Sequence, residues 1–257
     1  MEYEKRFLKL RKYNLIMGII HLIQGALMII LSSDFALPIR NSFLHYMPET
    51  EKLKAVTEDI VTIEMGPLVA GFLFMSAIAH LTVASPWAFG WYVNNLKRGI
   101  NYARWYEYAF SASLMIVLIA MLSGIFDIVA LIGLFSLTAV MNLFGLMMEL
   151  HNQTTTKTNW TAYYFGCFAG IVPWIAIGIY FLGSADTGEM PTFVYFIMGS
   201  LFVLFFSFAI NMVLQYKKVG KWKDYLYGES VYILLSLTAK SALAWQVFGG
   251  TVSRSEF

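Results

Sequence analysis

The chain has 257 residues, 58% of them hydrophobic and only 13% charged, against roughly 25% charged in ordinary soluble domains. With a mean hydropathy of +0.63, this composition excludes a water-soluble globular fold and indicates an integral membrane protein. The net charge of +2 forms no basic face for nucleic acid, and a single cysteine, Cys167, excludes an internal disulfide or a cysteine-rich metal site.

The amino-terminal KRFLKLRK followed by an apolar run superficially resembles a signal peptide. The run continues to Leu31 without a small-x-small cleavage site, so a retained first membrane helix is expected. Seven apolar stretches follow the chain at about 13–31, 62–84, 102–122, 127–148, 160–182, 192–216 and 228–249, each near the ~20 residues that cross a bilayer. The expected fold is all-α: one seven-transmembrane-helix domain over 1–257. The longest connection, 32–61, alternates polar and apolar residues in FALPIRNSFLHYM and is expected to form a small hairpin over the bundle mouth. Acidic residues gather on that side (Asp34, Glu49, Glu51, Glu58, Asp59, Glu64, Asp127, Asp186 and Glu189) and read as solvated loop charge. His45 and His151 read as surface histidines, the N-x-T matches at Asn152 and Asn159 as chance, and Cys167 as a small core residue.

Cytoplasmic loops carry the excess of lysine and arginine, which orients the bundle. With the amino terminus inside, the inner segments hold thirteen basic residues, Lys5 to Lys12, Lys97, Arg98, Arg104, Lys157 and Lys217 to Lys223 among them. The outer segments hold four: Arg40, Lys52, Lys54 and Arg254. The expected topology is therefore amino terminus cytoplasmic and carboxy terminus extracellular.

The remaining basic residue is Lys240, in the middle of GESVYILLSLTAKSALAWQVFGG (228–250). An ammonium at the centre of a membrane helix costs at least ~2.5–3.5 kcal/mol, which makes it a functional candidate. Apolar sequence flanks it for about ten residues on each side, too deep for its stem to reach the headgroups. A desolvated amine of this kind condenses with aldehydes to form a Schiff base; an ion-paired structural lysine is the plainer alternative. Three other ionisable groups lie within the apolar runs, His21, His80 and Glu107, and all three fall in the inner half of the bundle. Such groups face the interior and pair with one another. Ser236 is one turn before Lys240, Ser111 one turn after Glu107, and Arg104 one turn before Glu107, where it is expected to keep the carboxylate ionised.

At these residues the chain resembles a seven-helix retinal protein. Microbial rhodopsins place a retinal lysine in helix seven and a counterion carboxylate in helix three, one turn after an arginine; Lys240, Glu107 and Arg104 in NYARWYEY match that pattern. The segments DFALP (34–38), MIVLIA (115–120), DIVAL (127–131), FGC and AGIVPW (165–174, around Phe168), LQYK and GKW (214–222) and LTAKSALAWQ (237–246) narrow the resemblance to heliorhodopsins. That family's inverted orientation agrees with the charge count.

The resemblance implies all-trans retinal held by Lys240 as a protonated Schiff base, with Glu107 as counterion and Ser236 and Ser111 close by. It implies that His21 and His80 belong to a polar cytoplasmic-side cavity that takes up the released proton. Helix position adds Met115, Gly145, Tyr163, Gly170, Phe206 and Trp245 as pocket lining, with Tyr163 standing where the family carries tryptophan. Pumping rhodopsins have a second acid four residues before the lysine and a proton donor eleven residues after the counterion; here those positions are Ser236 and Leu118. The expected function is a photoreceptor without enzymatic activity or net ion pumping, in which light converts all-trans retinal to 13-cis. Its expected partners are the lipid bilayer, a second copy in a homodimer, and a cytoplasmic or membrane signalling protein. A light-driven or light-gated proton transporter of the same fold, a seven-helix zinc hydrolase and a colourless structural membrane protein are the alternatives; no metal is expected.

Overall fold

The computed structural model describes residues 2–186 and 192–252. In chain order these form α1 (Glu2–Leu31), β1 (Ala36–Met47), β2 (Lys52–Glu64), α2 (Met65–Ala84), α3 (Pro86–Lys97), α4 (Tyr102–Leu122), α5 (Ile128–His151), α6 (Thr161–Asp186), α7 (Thr192–Tyr216) and α8 (Tyr225–Val252). Of these helices all but α3 are long and apolar enough to cross a membrane. The expected Glu189 and Arg254 lie outside the described residues.

Short polar caps start the helices. Asn101 Oδ1 accepts from Arg104 N at 3.0 Å at the start of α4, and Asp127 Oδ1 accepts from Ala130 N at 2.8 Å at the start of α5. These oxygens satisfy amide donors that the first turn leaves free. Gly99 (φ +72°) and Gly124 (φ +100°) take the left-handed backbone that the turns flanking α4 require. Helix α4 is the central element: it packs on α2 and α5 and also reaches α6 and α7, while α1 closes on α2 and α8. Its Ile116, Leu118, Ile119, Ala120 and Met121 belong to the largest apolar core, together with Phe72 and Leu73 of α2 and Leu243 and Ala244 of α8.

Three features differ from the sequence expectation. Helix α1 begins at Glu2 rather than near 13, and α8 runs from Tyr225 to Val252, because hydropathy marks the apolar slab whereas backbone hydrogen bonding continues through charged residues. Residues 86–97, expected as part of a loop, form α3: Ser85 Oγ caps Ala88 N at 3.3 Å, Pro86 occupies the first turn, and Ala88, Tyr92 and Leu96 face inward on one stripe. Cys167 is exposed beside Phe168, at the border of a cavity that Tyr163 and Gly170 also line, rather than buried in the core. In a bilayer an outward face is as apolar as an inward one, so hydropathy does not separate the two.

The 32–64 connection is an antiparallel hairpin pairing Ala36 with Glu64 through Met47 with Lys52, with an irregularity between Ile39 and Arg40. It is larger than a small cover over the bundle mouth, since 12 and 13 residues per strand span about 40 Å. Phe35, Leu37, Ile39 and Ile63 anchor its foot on the core, and Arg40 N donates to Phe126 O at 2.8 Å. The rest projects outward, leaving Leu44, Tyr46 and Leu53 more than half exposed.

Candidate functional site

Lys240 is 3% exposed, and its Nζ donates to Glu107 Oε1 at 2.9 Å and to Ser236 Oγ at 2.9 Å. Ser236 lies four residues earlier on α8, so one helix face carries both groups. Ser76 on α2 donates to the same Glu107 oxygen at 2.6 Å, and the Tyr108 ring centroid lies 5.1 Å from Nζ. Ser111 is fully buried beside the Glu107 carboxylate. A buried ion pair persists only when its geometry is good and its remaining valences are met, and two serines and the tyrosine face supply that here. Ser76 was not singled out from the sequence; its signal is its place one turn before His80 on α2.

From Lys240 and Ser236 a cavity of about 410 Å³ opens among α4, α5, α6, α7 and α8, within the ~300–1,000 Å³ of small-molecule sites. Met115, Gly145, Tyr163, Gly170 and Phe206 all line it, with Trp105, Trp174 and Phe205 adding aromatic wall. Gly145 lies against the Trp105 ring and Gly170 against the Met141 thioether, so a Cβ at either position collides with that neighbour.

Trp245 does not line the cavity. Five residues past Lys240 it is rotated by about 140° around the helix axis, and its Nε1 donates to Gln24 Oε1 of α1 at 3.0 Å.

On the other side of Glu107, His21 and His80 stack with ring centroids 5.6 Å apart. His80 Nδ1 lies 2.8 Å from Asn14 Oδ1, while both ring nitrogens of the fully buried His21 have no protein partner. Asn14, seven residues before His21, shares its face of α1; a polar residue at that spacing in an apolar helix was the available signal. A second cavity, about 30 Å³, lies between His80, Glu107 and Tyr108 at one end and Asn101 and Arg104 at the other.

The structure overturns the assignment of Arg104 to Glu107. Its guanidinium turns toward the face that carries the amino terminus and bonds Glu149 Oε1 at 2.5 Å and Glu229 Oε1, sandwiched by the rings of Trp105 (4.4 Å) and Tyr232 (4.0 Å). Two buried carboxylates at the end of a long stem outcompete the neighbour one turn away. Neither glutamate was picked out from the sequence, because each sits at the margin of an apolar run, where acids are ordinarily solvated. Among the described residues no group of three or more His, Cys, Asp or Glu side chains is arranged to hold a metal ion.

Among the described residues, seven membrane-capable helices close around a buried lysine–carboxylate pair, with an aromatic-walled cavity running from the amine, an arrangement that fits the class of membrane-embedded retinal proteins. The chain belongs to the heliorhodopsin family, whose model matches residues 10–252. It is accordingly a light-sensing, multi-pass membrane protein of the retinal-binding type. No curated protein matches it significantly. The residues present fit a retinal chromophore: the cavity is almost wholly apolar, an amine stands at its polar end, and glycines at 145 and 170 leave room that a side chain would fill.

Proposed function

We propose that this heliorhodopsin is a photosensor in which Lys240 Nζ holds all-trans retinal as a protonated Schiff base, Glu107 is the counterion, and no net ion transport follows. The observation that carries this reading is the 2.9 Å contact between Lys240 Nζ and Glu107 Oε1 at the end of the apolar cavity. When bound, retinal supplies a light-driven isomerisation, all-trans to 13-cis, beside Nζ. The protein's part is electrostatic: Glu107 balances the positive charge at Nζ, Ser76 fixes the carboxylate, and Ser236 fixes the amine. Met115, Gly145, Tyr163, Gly170 and Phe206 bind and orient the polyene and exclude water.

The Nζ proton passes to the polar side of Glu107, where His21 and His80 stack and His21 offers two ring nitrogens without protein partners. It returns from that same side. Ser236 and the fully buried Leu118 provide no carboxylate to relay it onward. The distribution of basic residues supports a cytoplasmic amino terminus, so the exchange faces the cytoplasm. The output is a conformational change read by a signalling protein, with no enzymatic step in this chain. The projecting hairpin, with Leu44, Tyr46 and Leu53 exposed, supports assembly as a homodimer.

Reconstituted vesicles test this reading: under steady light the internal pH is expected to stay constant. A sustained change abolished by a protonophore would make the protein a transporter. A visible band that forms with all-trans retinal and is bleached by hydroxylamine tests the linkage itself.

A further inference from the structure

We propose that Glu229 is the carboxylate on which the proton released from Lys240 Nζ comes to rest, reached through the small cavity between Glu107 and Arg104. This rests on the proton movement proposed above and names its destination.

Arg104, Glu149 and Glu229 form one buried cluster, with side-chain exposures of 5%, 3% and 0%. The two acids are not equivalent. Glu149 accepts from four donors: Arg104 and the Tyr225 hydroxyl (3.3 Å) at Oε1, Asn101 N (2.8 Å) and Trp105 Nε1 (2.8 Å) at Oε2. Each donor favours the ionised form. Glu229 accepts from two, Arg104 at Oε1 and Asn101 Nδ2 at Oε2 (2.6 Å), which leaves lone pairs for a proton. With one guanidinium facing two carboxylates the cluster holds an excess negative charge out of water, and a proton on Glu229 removes it. The Tyr225 oxygen lies beside both acids and can accept from the protonated carboxyl. The other titratable groups around Glu229 are Tyr92, Tyr108, Tyr216 and Tyr232, and burial holds the Tyr92 phenol up and neutral.

The connection to the lysine is physical. The 30 Å³ cavity is bordered by Glu107 and His80 at one end and by Asn101 and Arg104, both bonded to Glu229, at the other. Its lining sets the polar groups of Asn14, His80, Asn101, Arg104 and Glu107 among apolar side chains such as Val83 and Ile233, and it has room for about two waters. The step balances as one proton: it leaves Nζ, crosses the water-sized space past His80, and binds the Glu229 carboxylate at Oε2, leaving an uncharged imine nitrogen at Nζ and a neutral carboxyl; recovery reverses it.

Light-minus-dark infrared spectra of the retinal-loaded protein in lipid test this. In the native protein a carboxyl C=O stretch should appear as Nζ loses its proton; in Glu229→Gln that band should be lost while Nζ still deprotonates, and in Glu149→Gln it should persist. Glu229→Asp, which keeps an acid and guards against a folding defect, should shift the band. A band retained unchanged in Glu229→Gln, unshifted in Glu229→Asp, or absent from the native protein although Nζ deprotonates overturns the proposal. A native photocycle in which Nζ never loses its proton overturns instead the proton movement on which it rests.

Discussion

Arg104 and Glu107 stand one helical turn apart on α4, yet their side chains belong to different charge systems. Glu107 is held by Lys240 and Ser76, and Arg104 by Glu149 and Glu229. The bundle therefore contains two buried clusters joined by a small cavity.

This separation predicts the behaviour of Arg104→Gln. Removing the guanidinium leaves two buried carboxylates uncompensated, a change that costs about 3–5 kcal/mol when a buried pair is broken. Stability in a denaturant titration should fall by that order while the visible band moves little. A spectral shift as large as that of a Glu107 variant would reunite Arg104 with the counterion.

Glu107→Gln should have the opposite profile. With Ser76 and Ser236 still able to bond the neighbouring groups, the fold should persist, but the charge opposite Nζ is gone. The visible band should move strongly to the red or the protonated pigment should be lost at neutral pH. An unchanged absorption spectrum would rule out this carboxylate as counterion.

Lys240→Ala should yield a folded, colourless protein after incubation with all-trans retinal. The variant also deletes one half of a buried pair, leaving Glu107 with Ser76 as its remaining direct donor. A pigment stable to gel filtration in this variant would place the attachment elsewhere.

Gly145→Val tests the cavity wall. The added carbons collide with Trp105, whose Nε1 donates to Glu149 at 2.8 Å, so relief by moving the ring breaks a buried hydrogen bond. Overpacking of this kind costs about 1–3 kcal/mol. Lower melting temperature and reduced pigment yield are expected together; a native yield with native stability would show that the wall is not tight at this position.

Lys240, Glu107, Ser236 and both histidines were legible because an ionisable or polar residue inside an apolar run is too costly to be idle, and spacing of four places groups on one face. Glu149 and Glu229 were not legible for the converse reason. At the ends of apolar runs acids usually meet water, and only the packing of α4, α5 and α8 shows these two at 3% and 0% exposure. Trp245 shows the limit of helix position as a guide to lining, since a residue near the lysine in sequence lies around the helix from it, against Gln24. Cys167 marks a second limit, because apolar neighbours do not distinguish lipid from core. Residues 86–97 carried a readable Ser-Pro start, but a helix too short to span the bilayer is hidden from hydropathy.

The sequence by itself determined the membrane setting, the number of spans and the amine around which a chromophore site could form, because burial of polar groups in lipid is expensive and leaves its mark residue by residue. Which charges pair was decided only by the tertiary structure. A long side chain such as that of Arg104 can reach in either direction along its helix, and the choice depends on carboxylates brought from α5 and α8, separated from it by 45 and 125 positions.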